Sequence, residues 1–489
     1  MFPPSIRTNR RLAVHAFARL YSTATSAHPI KVAIIGSGPA GFYTAHNLLK
    51  NERVQVDMYE SLPVPFGLVR FGVAPDHPEV KNVINKFETI GANDRFQFYG
   101  NIRVGDSVPL QAIQSNYHYT VLSYGASEDR HLGIDNEDSL QGIHSARSFV
   151  GWYNGHPDFK DLAPNLDTET AIVVGQGNVA LDVARILLSP IEELEKTDIC
   201  EHALEALRKS SVKHVHIVGR RGPLQIAFTS KELREIMGMP NTRFIIDRDY
   251  VEKTVSEHKA ALTKDRPRKR LLEILVKPQE PADSPRPKTL TVHFLKTPRA
   301  AVPDSSGARL AAVKFEDNEL RDDAVAVGTG SFTEIPAGLL FRSVGYKGTG
   351  IPGLHFDSRR GVVPNNKGRA LDSQGKIIPR LYVAGWLKRG PTGVIATTMH
   401  DANETSTMVL EDIHQDLEAK EDALASVSGA AGVLGTSAAK AVDAVSFSEW
   451  KAIDAYEREQ GQKLGKPREK IVSTEEMLRL VHEARAAKA

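Results

Sequence analysis

The chain has 489 residues, 62 Lys and Arg against 60 Asp and Glu, a formal net charge of +2 and a single cysteine. That length asks for two or three domains. The balanced charge leaves no footprint for nucleic acid, and no uninterrupted apolar stretch is long enough to span a bilayer. With Cys200 alone, a disulfide framework, a C-x-x-C redox pair and a cysteine-ligated iron–sulfur cluster are all excluded within the chain. A structural role suits Cys200 better than a nucleophile's, so any electrons handled here need a cofactor or a partner.

Residues 1–25 read as an address and not as fold. Arg7, Arg10, Arg11 and Arg19 alternate with Leu12, Val14, Phe17 and Leu20, hydroxyl residues follow, and the first acid is Glu52. An Arg-rich, acid-free, amphipathic start is the pattern of a mitochondrial transit peptide, with cleavage expected near Tyr21–Ser22; the plain alternative is a basic tail.

The first organised stretch runs from Lys31 to Glu60. Val32-Ala33-Ile34-Ile35 reads as a buried parallel strand. Gly36, Gly38 and Gly41 follow in G-x-G-x-x-G spacing, then a helical pattern from Phe42 to Leu49, then a strand Val54–Tyr59 ending on Glu60. The first glycine makes the tight turn, the second admits a pyrophosphate to the backbone, and the third lets helix and strand approach. Glu60 can accept from both hydroxyls of an adenosine ribose and would repel a 2′-phosphate. This predicts a dinucleotide site selecting against 2′-phosphate. The segment 61–82, rich in Pro and Gly, reads as a long ordered loop able to fold over the cofactor, with Arg70, Asp76, His77 and Lys81 as polar members. Strand-like pieces near Phe96–Tyr99 and Thr120–Ser123 continue the sheet.

From Ala171 the plan repeats: an apolar strand, Gly175-x-Gly177-x-x-Ala180, and a helix. The next strand, Val215–Gly219, ends in Arg220-Arg221 in place of an acid, and guanidiniums bind a 2′-phosphate where a carboxylate repels it. The first site therefore suits FAD and the second NADP(H), the alternative for the Arg pair being a solvated basic turn. The spacing to this strand is long, so a helical insertion is expected over 189–211. The charged run 249–287, with Lys264, Arg266, Arg268, Lys269 and Arg270, reads as an exposed face or a docking patch. Residues 288–345 alternate like antiparallel strands, with a turn at Pro303–Gly307. A strand at Leu381–Ala384, a Gly-Trp, a Pro-Thr-Gly turn and a helix opening near Val394 follow. Beyond Ile413 the chain is helical, broken by a flexible-looking Ser/Gly/Ala stretch around Ser426–Ala439.

VAIIGSGPAGFY, PFGLVRFGVAPDHPEVKNV, GQGNVALDVARILL, VGRRGPLQIAFTSKELRE, FRSVGY and YVAGWLKRGPTGVI are long and specific. On them the chain from about residue 29 onward resembles the mitochondrial NADPH–adrenodoxin (ferredoxin) oxidoreductase family, a fungal member being expected. The resemblance implies an α/β fold of two Rossmann-like dinucleotide-binding domains, the NADP domain inserted into a split FAD domain. Its expected bounds are 29–127 and 360–489 for the FAD domain, with a helical C-terminal extension, and 128–359 for the NADP domain. It implies FAD contacts at Ala40, Glu60, Leu68, Val104, Trp386, Gly393, Val394 and Ile395, beside the glycines already read from the pattern. For NADP it implies Gln176, Gly177, Asn178, Val179, Arg220, Arg221, Glu232 and Gly393. Leu68, Val104 and Glu232 come from the resemblance alone.

The implied activity is NADPH:ferredoxin (adrenodoxin) oxidoreductase, serving an acidic [2Fe–2S] ferredoxin in the mitochondrial matrix, on or off the face of the inner membrane, and through it iron–sulfur, haem or sterol hydroxylation pathways. A flavin takes two electrons from NADPH and returns them singly, the chemical reason for placing FAD between the two carriers. No metal is expected. Asp182 sits in an otherwise apolar helix pattern, where an unpaired carboxylate is costly. The resemblance pairs it with His77 near the flavin, while the plain reading leaves His77 satisfied by a loop and Asp182 on a helix surface. Arg234, Arg266 and Arg270 match the family's basic docking positions, with Lys269 a weaker addition. The competing reading is an NADPH-dependent FAD reductase of a small-molecule acceptor. A glutamate-synthase-type subunit would need cysteine clusters this chain lacks, and a non-catalytic nucleotide sensor would not need the second phosphate loop, the Arg pair and the Gly-Trp…Pro-Thr-Gly segment intact.

Overall fold

The strand Ile30–Ile35 is buried along nearly its whole length, as a β-branched run between two helical layers must be. It is an inner strand of a seven-stranded sheet. Val54–Tyr59 pairs with it in parallel on one side, from Ile30↔Val54 to Ile35↔Tyr59, with Phe96–Tyr99 beyond. On the other side Tyr119–Leu122 pairs in parallel and is followed by Ile377–Val383 and the short antiparallel strands Arg369–Leu371 and Asn365–Asn366. The sheet is thus assembled from both ends of the chain. The structure is a computed structural model describing residues 28–278, 285–322, 325–419, 426–435 and 443–488. The expected transit peptide, 1–25, lies outside the described residues.

The second sheet has six strands, all parallel, in the order Ile143–Ser145, Leu339–Arg342, Thr170–Val174, His214–Val218, Lys288–His293, Thr242–Ile246. This corrects the antiparallel reading of 288–345 at both ends: Lys288–His293 and Leu339–Arg342 are parallel inner strands. Between them, Lys296–Pro303, Leu310–Arg321 and Val325–Pro336 form the antiparallel ribbon the alternation anticipated. The ribbon covers one face of the second sheet, burying Val313, Phe315 and Ile335 with Ile172, Val174 and Leu340. Helices bury the other face, with Leu181, Ala184 and Leu188 against Val173 and Ile217.

Helices cover both faces of the first sheet. Pro39–Leu48 and the 24-residue Ile395–Glu418 lie on one face, joined by Trp450 and Ile453 of Phe447–Lys463 and by Met477 and Val481 of Thr474–Ala486. On the opposite face, Ala430–Leu434 sets Val433 into the cluster of Ile113, Leu122 and Val383. The described part of the Ser/Gly/Ala stretch, 426–435, is therefore docked: Gly429 N donates to Asn116 O at 2.9 Å. Its remainder, 436–439, lies outside the described residues. The segment 61–82, expected as a loop, contains two short helices, Leu68–Phe71 and Pro78–Lys81. The insertion 189–211 is helical at Ile191–Leu194 and Glu201–Arg208. The two sheets are joined twice, at Glu128–Asp129 and Tyr346–Lys347, and these crossings pair with each other.

Candidate functional site

At the first glycine loop the chain is compressed wherever backbone packing demands it and open where a ligand belongs. Gly36 has φ +101°, and a Cβ there would fall 2.6 Å from Tyr124 Cα. At Gly41 it would fall 2.1 Å from Gly36 O, so helix and strand meet too closely for any side chain. A Cβ at Gly38 would meet nothing within 4 Å. Gly38 is also the N-cap of Pro39–Leu48, with no side chain capping it, which leaves N–H groups free for an anion. Glu60 closes this site at the end of its strand. One carboxylate oxygen accepts from Ser37 N at 3.0 Å and Ser37 Oγ at 2.6 Å. The other accepts from Ser61 Oγ at 2.9 Å and Leu62 N at 3.2 Å. Four donors fix its orientation.

The second loop repeats this arrangement. Gly175 has φ +131°, and a Cβ would fall 2.1 Å from Ser343 O; at Gly177, the uncapped N-cap of Asn178–Leu188, it would meet nothing within 4 Å. Gln176 and Asn178 are already engaged: Gln176 Nε2 donates to His293 O at 3.1 Å, and Asn178 Oδ1 accepts from Thr229 N at 2.8 Å. Val179 is half-buried beside them. Arg220 and Arg221 are both exposed. Asn318 Nδ2 donates to Arg220 O at 2.9 Å, and Leu295 N to Arg221 O at 3.2 Å. The backbone of the pair is thus held, while among the described residues neither guanidinium has a hydrogen bond or ion pair.

Three further segments converge on these loops. Phe66 N donates to Ser37 O at 3.1 Å, and a Cβ at Gly67 would lie 3.2 Å from Gly38 Cα, so Leu68 begins its helix directly above the first loop. Val104 is buried in the cluster of Ile35 and Tyr59, the strand ends beside that loop. From the C-terminal third, Gly385 approaches Ala40 so closely that a Cβ would lie 2.6 Å from the Ala40 methyl. The Trp386 ring lies 5.2 Å from the ring of Tyr346, which follows the last strand of the second sheet. Gly393 and Val394 are exposed, Val394 by 53%, at the uncapped start of Ile395–Glu418. An exposed aliphatic side chain beside a free helix N-terminus fits a flat, partly apolar ring carrying polar edges. The residues present fit FAD on the first loop and NADPH on the second.

His77 and Asp182 lie in one charged cluster, close enough for the His77 charge to act on the Asp182 carboxyl, and each takes its hydrogen bond from another partner. His77 Nε2 lies 2.8 Å from Glu235 Oε2 and 3.8 Å from Glu232 Oε2. Asp182 accepts from Arg185 Nη2 at 2.8 Å. Arg185 is the hub, donating also to Asp76 at 2.5 and 3.1 Å and to Glu232 at 3.2 Å. Glu232 thus faces Arg185. The ligand-capable atoms of His77, Glu232 and Glu235 lie within 4.8 Å of one another, but with Arg185 in the same cluster the geometry is that of an ion-pair network. Burial pushes the Asp182 carboxyl up to about 6, with Arg185 opposing and Glu232 adding to the rise. The sequence reading passed over Arg185 and Glu235; the i,i+3 spacing of Asp182 and Arg185 in an apolar helix was the available signal.

The basic run sorts into two kinds of residue. Arg266 and Arg270, on helix Arg266–Val276, and Arg234, on the neighbouring Ser230–Met237, are exposed. Arg268 turns inward and donates to Ile226 O, and Lys269 pairs with Glu273 at 3.8 Å.

Two glycine loops, one closed by a fixed carboxylate and the other by two free guanidiniums, each at the end of a parallel strand of its own sheet, define a pyridine-nucleotide oxidoreductase with two dinucleotide sites. A family profile described as pyridine nucleotide-disulphide oxidoreductase matches residues 30–242. NADPH:adrenodoxin oxidoreductase of Bos taurus is 48% identical over 465 residues, 92% of each chain. The Arabidopsis thaliana protein of that name is 43% identical over 485 residues, 96% of this chain and 99% of its own. The solved structure of Mycobacterium tuberculosis FprA in complex with NADPH superposes with a TM-score of 0.83 at 38% identity, covering 93% of this chain and 100% of that one. The chain belongs to the NADPH:adrenodoxin oxidoreductase family.

Proposed function

We propose that this protein passes electrons from NADPH through FAD to an adrenodoxin-type [2Fe–2S] ferredoxin in the mitochondrial matrix. The observation that carries the reading is the contrast between the two loops: Glu60 closes one and Arg220-Arg221 the other, on otherwise matching strand–glycine–helix frames. FAD is held by Gly36, Gly38, Ala40, Gly41, Glu60, Leu68, Val104, Trp386, Gly393, Val394 and Ile395. NADPH is held by Gly175, Gln176, Gly177, Asn178, Val179, Arg220, Arg221, Glu232 and Gly393. The domain bounds 29–127, 128–359 and 360–489 place this split around the two chain crossings. Residues 1–25 serve as the matrix address, and among the described residues no helix is long and apolar enough to cross a membrane.

FAD, when bound, would supply the conversion between a two-electron donor and a one-electron acceptor, the overall exchange being NADPH and two oxidised ferredoxins to NADP+, two reduced ferredoxins and one proton. The chain's own work is placement. Glu60 and the Gly38 helix N-terminus orient the first dinucleotide, and the Arg pair seats the 2′-phosphate of the second. Gly67–Leu68 and Gly385–Trp386 close over the first loop and exclude water. Asp182, His77 and the Arg185 network hold charge beside the closing segments and tune proton flow there, with Glu232 anchoring Arg185. The exposed Arg234, Arg266 and Arg270 steer an acidic ferredoxin.

The test is cytochrome c reduction by the purified protein with NADPH or NADH, with and without a mitochondrial [2Fe–2S] ferredoxin. Strong dependence on both NADPH and ferredoxin is expected. Rapid turnover without ferredoxin would redirect the reading to a small-molecule acceptor, and equal use of NADH would overturn the role of the Arg pair.

A further inference from the structure

The insertion 189–211 lengthens the second nucleotide unit between the helix Asn178–Leu188 and the strand His214–Val218. Its two short helices are joined by a turn carrying Asp198, and that turn faces elements of the first domain. Lys81, ending the segment that covers the first glycine loop, places its ammonium 2.6 and 2.8 Å from the two Asp198 oxygens. Lys470, between the last two helices of the chain, donates to Asp198 O at 2.6 Å and lies 3.0 Å from Asp198 Oδ2. Lys466 donates to Ile199 O at 2.8 Å, and Glu469 accepts from Glu201 N at 3.0 Å. The side chains of Lys466 and Lys470 are each 1% exposed.

The grip is anchored on both sides. The C-terminal segment is fixed to the first sheet through Trp450, Ile453 and Met477, which share a core with Ile30 and Phe42. It is fixed again through buried Glu457, which accepts from Arg70, from Arg468 at 2.8 Å and from Ile471 N at 3.0 Å. On the other side, Leu194, Ile199 and Leu204 of the insertion belong to the core of the second sheet. Each sheet therefore has a hydrophobic core of its own, and the Asp198 contacts run from one to the other. Burial alone would raise the Asp198 carboxyl, but the ammoniums of Lys470 and Lys81 outweigh it and hold the group well below the carboxylate range. Burial, with Lys470 nearby, pushes Lys81 down to about 8.

We propose that Asp198 is a positioning residue: gripped by Lys81 and Lys470, it fixes the angle between the two nucleotide units so that a nicotinamide seated on the second meets a ring seated on the first. This rests on the NADPH-to-FAD reading above. Hydride transfer tolerates little displacement, a misplacement of about 1 Å costing on the order of a hundredfold, so an interdomain tie acts on the rate while leaving each nucleotide's own contacts intact.

The experiment uses the full-length, FAD-loaded protein and the variants Asp198→Asn, Lys470→Met, Lys470→Arg and Lys81→Met. Anaerobic stopped-flow absorbance reads flavin bleaching by NADPH, titration with 2′,5′-ADP reads the second site alone, and hydrogen exchange reads the backbone of 191–208. Asp198→Asn and Lys470→Met are expected to slow bleaching by about 10- to 100-fold and to speed exchange in 191–208. Affinity for 2′,5′-ADP and FAD content should stay within about twofold, and Lys470→Arg, which keeps a charged donor against Asp198, should recover most of the rate. Bleaching within about twofold of wild type in both loss variants would overturn the proposal. So would a loss shared by 2′,5′-ADP affinity and FAD content that Lys470→Arg does not recover. Should Asp198→Asn fail to fold, Lys81→Met, which keeps the Lys470 arm, is judged by the same criteria. If NADPH did not bleach the wild-type flavin, the functional reading would fall; exchange in 191–208 would still decide the tie, unchanged exchange sinking it.

Discussion

The two glycine loops are built to one plan and differ in what surrounds it. In both, the first glycine is jammed against the chain leaving a neighbouring strand, Tyr124 in one case and Ser343 in the other, and the second faces open space. The first unit then ends in a carboxylate held by four donors, the second in guanidiniums whose backbone alone is held. A ribose with two hydroxyls needs an acceptor in one fixed orientation; a 2′-phosphate needs charge that can close around it. On the proposed reading the frame accounts for dinucleotide binding, and the strand end for which dinucleotide binds.

The largest effect is expected from erasing that difference. Replacing Arg220 and Arg221 together by Ala should lower the preference for NADPH over NADH by a few hundredfold, on the order of 3–4 kcal/mol for two charge-assisted contacts, measured as the ratio of kcat/KM values with ferricyanide. FAD content should not change.

A second difference lies inside the helices. Counted from the first glycine, Asp182 and Arg185 stand where the first helix has Tyr43 and His46. The folded Asp182 carboxyl is raised from 3.8 to about 6, so the native state holds this proton more tightly than the unfolded chain, and ionisation costs stability as pH rises through that window. Asp182→Asn does not titrate. Relative to wild type, the variant should gain stability between pH about 4 and 7, by at most about 3 kcal/mol, read from urea midpoints at the two ends. A flat difference would place Asp182 in a more polar setting than the one described.

Filling the open second glycines tests the likeness of the loops. Gly38→Val should reduce FAD content, and Gly177→Val should weaken 2′,5′-ADP binding by about 10-fold or more with FAD retained. Equal losses of both ligands in either variant would mean that the loops do not act separately. The smallest effect concerns the partner: Arg266→Glu with Arg270→Glu should raise the ferredoxin KM by about 10-fold at low salt and flatten its salt dependence, with ferricyanide reduction unchanged.

Much of this was legible because it is local. The strand Val54–Tyr59, the glycine spacings, Glu60, the Arg pair and the helix opening at Val394 depend on a few neighbouring residues. What escaped depends on distant ones. Lys288–His293 alternates like an antiparallel strand, yet it lies parallel between two strands contributed from elsewhere in the chain. His77 sits with Glu235 because the 61–82 segment docks on the second domain, and no spacing along the chain encodes that contact. The grip on Asp198 joins residues 81, 198 and 470, and no spacing along the chain brings those three together.

The split construction also carries a consequence for how the molecule comes into being. Tyr119–Leu122 pairs on one side with Ile377–Val383, whereas all six strands of the second sheet lie between Ile143 and Arg342. The inserted unit can close while the chain is still emerging, from a ribosome or from an import channel. The unit around it must wait with one strand edge bare until the late strand arrives, a state prone to mispairing and slow to resolve. Nascent chains ending before Ile377 should therefore carry a finished second nucleotide unit and an open first one. In the life of the protein, that interval is when chaperones have the most to hold.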